Sequence, residues 1–118
     1  MRWCVMVACA GFFTVFATPA FSDDALISPD HAKPAAAGHN DEGVSHYSQG
    51  HWKVALEHFE GAVKADPTFA EAHLNLGLTL DKLGKHAEAT AHFKKAAELG
   101  KNNKKIQASE TLKDHLGQ

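Results

Sequence analysis

The sequence predicts an all-α fold: a short array of two helix pairs closed by a C-terminal capping helix. Three observations predict it. First, residues 36–69 and 70–103 repeat each other at a spacing of 34, with eight identities: Ala36/Ala70, His39/His73, Gly43/Gly77, Gly50/Gly84, Ala55/Ala89, His58/His92, Phe59/Phe93 and Ala62/Ala96. A self-similarity of that length marks a helical repeat array. Second, most of the shared residues are small or Phe, which is a steric rule for helices that approach closely. Third, glycine and proline stand where helices must stop, at Gly50, Asp66-Pro67 and Gly84.

Length and composition agree with one small folded domain: 118 residues, 44% hydrophobic, 22% charged. The net charge is −2, and the short run Lys101–Lys105 reads as a solvated turn between helices. A nucleic-acid ligand is not expected, because phosphate binding requires clustered Lys and Arg over a whole face.

Taken from the N-terminus, residues 1–22 have the layout of a secretory signal. Met1-Arg2 is followed by an apolar run from Trp3 to Phe16 and then by small residues up to Ser22. Cleavage after Ser22 leaves Asp23 first; cleavage after Ala20 is the alternative. The run is shorter than the roughly 20 residues that span a bilayer, so no stable membrane anchor is expected after processing, an uncleaved anchor being the alternative. Cys4 and Cys9 both lie in this segment, so the processed chain has no disulfide framework. The expected location is periplasmic or secreted. Residues 23–35, interrupted by Pro29 and Pro34, read as a flexible acidic leader, either a tether or a segment that folds back on the domain.

The first copy, residues 36–69, places one helix up to Gly50 and a second over about 52–65, carrying Ala55, Phe59 and Ala62. The second copy, residues 70–103, opens on Thr68-Phe69-Ala70-Glu71, the pattern of a capping box. Leu74, Leu76, Leu78 and Leu80 make its first helix apolar on more than one face, so it must be covered on both sides. Gly77 and Ala89 let two antiparallel helices close, and Gly84 ends the helix in the left-handed conformation. The partner helix, about 86–99, sets Ala89, Phe93 and Ala96 at helical spacing. Residues 104–118 form the capping helix and tail, with Asn102 or Asn103 as N-cap and Ile106, Leu112 and Leu116 turned inward.

At these residues the chain resembles the tetratricopeptide-repeat (TPR) family: Leu76-Gly77, Ala89, Phe93 and Ala96 in the second copy, and Gly43, Ala55, Phe59, Ala62 and Pro67 in the first. The resemblance implies a short right-handed α-solenoid that binds another protein or peptide along the concave face of its first helices. By resemblance that groove comprises Val44, Tyr47, Ser48, Glu71, Leu74, Asn75, Leu78, Asp81 and Lys82. Departures occur: Glu42 stands at the Leu position, His39 and His73 at the Trp position, and Lys101 at the Pro position. The family's clamp for a partner's C-terminal carboxylate is incomplete here, since Asn40 and Val44 stand where Lys and Asn are needed.

No nucleophile flanked by a base, glycine-rich phosphate loop or convergent carboxylate pair is present, so neither catalysis nor a cofactor is expected. Nine histidines are many for this length. None lie three or four residues apart, as a ligand pair on one helix requires, so they read as scattered over the surface. A histidine-based metal-binding or pH-responsive protein is the alternative function. Because such arrays need about three repeats to bury enough core, self-association through the first repeat, or stabilisation by a partner, is expected.

Overall fold

The computed structural model describes residues 23–118; the expected signal segment lies outside the described residues. Six helices follow an extended N-terminal segment: α1 Pro34–Ser48, α2 Trp52–Ala65, α3 Ala70–Lys82, α4 His86–Leu99, α5 Lys104–Gln107 and α6 Glu110–Leu116. Among the described residues there is no strand, and no helix is long and apolar enough to cross a membrane. Helices α1 and α2 pack as one antiparallel pair and α3 and α4 as the next, with α2 against α3 and the short α6 against α4.

The small residues do what their recurrence predicts. Phe59 and Phe93 are fully buried, as are Ala55, Ala62, Ala89 and Ala96 around them. A Cβ added to Gly43 would lie 2.6 Å from the Phe59 ring, and one added to Gly77 would lie 2.8 Å from the Phe93 ring. Each Phe ring therefore presses against the partner helix's backbone at a distance that leaves no room for a side chain there. Gly50 and Gly84 reverse the chain between paired helices with φ of 76° and 78°. At the junction of the two pairs, Asp66-Pro67-Thr68 makes the turn, with Asp66 Oδ1 accepting from the Thr68 amide and hydroxyl.

Helix α3 is the centre of the molecule. Every residue from Ala72 to Leu80 is buried, and Leu74, Leu76, Leu78 and Leu80 join one core with Phe59, Phe93, Ile106 and Leu112. Ala36, Ala62, Phe69 and Ala72 make a smaller cluster at the junction.

The structure corrects four expectations. Helix α1 starts at Pro34, two residues before Ala36, because proline is well suited to a first helical position. The capping box at Thr68 does not form. The Thr68 hydroxyl is engaged by Asp66, Phe69 takes the N-cap position, and the Glu71 carboxylate accepts from Asn103 Nδ2 instead. The single capping helix is two helices, broken at Ala108 because the Ser109 hydroxyl accepts from the Leu112 amide and starts α6 afresh. The fourth concerns the leader, which is not a free tether: its first six residues lie along the face built by α1, α3 and α6.

Candidate functional site

The site grows from two asparagines on the inner helices. Asn40 of α1 and Asn75 of α3 are both fully buried. A buried amide must place its donors and acceptor somewhere, and these two place them on the main chain of Leu26. Asn75 Oδ1 accepts from the Leu26 amide at 2.7 Å, and Asn75 Nδ2 donates to the Leu26 carbonyl at 2.8 Å. Asn40 Nδ2 donates to the same carbonyl at 2.9 Å, while Asn40 Oδ1 accepts from Asn75 Nδ2 at 2.8 Å. One side-chain amide thus pairs with both polar groups of one residue, as a neighbouring β-strand would. Such bonds read backbone and leave side-chain choice to the surrounding pockets.

Both ends of the segment are also held. On one side the Ser28 amide donates to Asp41 Oδ1 at 2.8 Å, and Asn40 Nδ2 reaches the Ser28 hydroxyl at 3.1 Å. On the other, Asp23 sits at the start of α6. Its carboxylate accepts from the Ser109 hydroxyl and the Thr111 amide, each at 2.7 Å, and from the Glu110 amide at 3.4 Å. Partial burial pushes the Asp23 carboxyl up, but the hydrogen bonds from Ser109, Thr111 and Glu110 outweigh it and hold the group below the usual carboxylate range. The Tyr47 hydroxyl donates to the Asp23 carbonyl at 3.3 Å. Burial, and then the charges of Asp23, Asp24 and Asp81, push that phenol up to about 12, so it is a donor at any physiological pH. Between the two ends Ala25 and Leu26 pack on the core that contains Leu74 and Leu78. The neighbouring Ile27 points outward and is 70% exposed, as alternation in an extended segment requires.

The nine residues expected to form the groove divide into three groups. Tyr47, Leu74, Asn75 and Leu78 are buried in the core or beneath the leader, and Val44 packs half-buried against the same core. Glu71 lies along an open cleft of about 1040 Å³ between the leader and the α4–α5 connection. The remaining three face other work: Ser48 donates back to the Ser45 carbonyl, the Lys82 ammonium lies 5.8 Å over the Trp52 ring, and Asp81 is engaged by His86 and His115. Sequence reasoning missed Asn40, Asp23, Leu26 and Ser109. The available signal was indirect: Asn75, an amide in the middle of the leucine-rich, fully covered α3, needs a polar partner from elsewhere in the chain.

A tetratricopeptide repeat family model matches residues 40–104, more than half of the chain. The chain belongs to the tetratricopeptide-repeat family. No curated protein matches it. The TPR match spans both helix pairs from Asn40 to the start of α5, and so contains both asparagines that hold the leader. TPR domains in general mediate contacts with other proteins.

The histidines of this TPR chain are not scattered, contrary to expectation. His46 stacks on His58 with centroids 5.4 Å apart and lies beside His51 at 5.7 Å, and His39 is 6.1 Å from His58. His73 stacks on His92 at 5.4 Å, and His86 faces His115 at 5.9 Å. Antiparallel pairing brings together residues that no spacing along one helix could relate. Among the described residues, two groups hold three ligand-type atoms within 4.8 Å of one another: His39, Glu42, His58 and Asp81, His86, His115.

Proposed function

We propose that the chain is an exported protein-interaction module whose inner helices take an extended segment of a partner, and that its own residues 23–28 occupy that groove until the partner arrives. One observation carries this reading: Asn40 and Asn75 spend their buried amides on the backbone of Leu26, so the groove holds an extended chain through groups every peptide has. The partner segment that fits is acidic at one end, to meet Ser109 and the first amides of α6. It carries an apolar side chain three residues later, to replace Leu26.

The test uses the full chain with its leader released by Asp23→Ala and Leu26→Ala. A labelled peptide of residues 23–29 should bind this variant in fluorescence anisotropy, and should lose binding when Asn75→Ala is added. A peptide that ignores the released groove, or binds it equally well without Asn75, rejects the reading. Export rests on the N-terminal layout, a charged start, an apolar run and small residues before Asp23. Mass spectrometry of the protein recovered from cell fractions should find a mature N-terminus at Asp23.

A further inference from the structure

We propose that Asp81, His86 and His115 form a binding site for a divalent late transition ion, zinc being the expected occupant, which fastens the C-terminal cap to the second repeat. The three residues come from three elements: Asp81 from the last turn of α3, His86 from the first residue of α4, and His115 from the end of α6. His86 Nδ1 lies 2.7 Å and His115 Nε2 lies 2.9 Å from the same oxygen, Asp81 Oδ1. A carboxylate only accepts, so in the metal-free protein both rings present an N–H to it.

The surroundings suit an exchange of those two N–H contacts for an ion. Metal–ligand distances of about 2.0–2.2 Å in a tetrahedral shell need donor atoms roughly 3.3 Å apart, about half an ångström wider than here. Asp81 and His115 are mostly covered, with 27% and 14% of their side chains exposed, and the His115 ring packs on Phe93 at 4.8 Å. The movement falls to His86, whose side chain is 69% exposed. Each ring must move its proton to its other nitrogen. For His115 that nitrogen, Nδ1, lies 2.7 Å from the Thr90 hydroxyl, which accepts it while sending its own proton to the His86 carbonyl at 2.9 Å. A ligating imidazole whose second nitrogen is hydrogen-bonded is the ordinary supporting arrangement around a metal. For His86 the second nitrogen is met by water.

Two imidazoles and one carboxylate suit zinc, copper or nickel, whereas calcium and magnesium call for oxygen shells. Three protein ligands leave a fourth position for water or an external group. The other triad, His39, Glu42 and His58, spans only α1 and α2, has two exposed members and has no bonded group behind its rings. It serves as the internal comparison.

The experiment titrates zinc chloride into the full chain by calorimetry, with thermal melting and long-range proton–nitrogen spectra of the histidine rings alongside. One equivalent should bind at micromolar zinc and raise the melting temperature, with zinc on His86 Nδ1 and His115 Nε2. His86→Ala should weaken binding by more than about tenfold and remove the melting shift. Its metal-free melting should change little, since the His86 side chain is 69% exposed. His39→Ala should leave all three measurements as they were. The proposal is overturned if no stoichiometric binding occurs at that concentration, if binding survives His86→Ala, or if the metal-bound nitrogens belong to His39 and His58. None of these outcomes depends on whether the groove holds a peptide.

Discussion

Replacing Asn75 by Ala removes three hydrogen bonds at once: to the Leu26 amide, the Leu26 carbonyl and Asn40 Oδ1. The carbonyl keeps its bond from Asn40, but the Leu26 amide and Asn40 Oδ1 lose their partners. A buried polar group left unpaired costs about 1–3 kcal/mol, so a leader that stayed in place would bear roughly 2–6 kcal/mol. It need not stay, because residues 23–28 can swing out into water. Leaving gives up the Leu26 packing, at most about 1.5–3 kcal/mol, and the Asp23 bonds at the cap. On either course the docked state loses ground to the free one, so the expected outcome is a leader released more often, with the helices intact. We expect docking to weaken by about 2–4 kcal/mol, about 30- to 1000-fold in the docked-to-free ratio. Hydrogen exchange at the Leu26 and Ser28 amides reads the release directly, and far-ultraviolet circular dichroism verifies the helices. Asn75→Asp sharpens the test: it keeps an acceptor for the Leu26 amide but turns the donor into an oxygen facing the Leu26 carbonyl and Asn40 Oδ1, so it should release the leader at least as fully. If the Leu26 amide stays protected in either variant, the paired amides are not what holds the segment.

Two further predictions test the packing and the histidines. Gly77→Ala places a methyl 2.8 Å from the Phe93 ring, and overpacking of about 1–3 kcal/mol should exceed the gain in helix propensity of about 1 kcal/mol, whereas Gly38→Ala, with nothing within 4 Å, should stabilise the protein in urea unfolding; equal effects at the two sites would refute the close approach. His73 and His92 are held below the usual imidazole value, first by burial, then for His73 by Lys95 and for His92 by His73; the Pro67 carbonyl and then Asp66 oppose this at His73, and Glu88 at His92. A depressed folded value means that the unfolded chain takes the proton first. Their contribution is therefore present above about pH 6.5 and is lost as pH falls through the folded values. Melting temperatures measured between pH 7.5 and 5 (roughly the span over which imidazole gains charge) should fall, and His92→Gln should flatten the slope.

How much of this was legible in the sequence follows from how far each contact reaches. The repeat and its packing were legible because close helix approach dictates residue size locally: Gly43 and Gly77 can be nothing larger beneath Phe59 and Phe93. The leader's place was not. A six-residue segment carries no periodicity, and its bonds run 49 residues to Asn75 and 86 to Ser109. Its trace lay in the receiving residues, where two asparagines on covered helix faces needed partners that the helices themselves could not supply. The break in the cap was written as Ser109, a hydroxyl ready to start a helix, but Ile106 and Leu112 fit one continuous helix equally well. The histidine groups escaped because spacing along one helix cannot report a neighbour on the next: His46 and His58 stack across the α1–α2 turn.

The docked leader also supplies cover that a two-repeat array lacks. Helix α3 is buried on every side from Ala72 to Leu80, and Leu26 of the leader packs on the core that contains Leu74. The leader and the split cap supply part of that cover, doing what further repeats do in longer arrays. On the function proposed above, stability and ligand binding act at the same surface. A partner that enters the groove must replace Leu26 and the Asp23 carboxylate, and its apparent affinity is its intrinsic affinity reduced by the fraction of chains whose leader is out. Releasing the leader by Asp23→Ala and Leu26→Ala should therefore raise partner affinity by the same factor by which those residues retain the leader. The equality arises only if leader and partner compete for one groove.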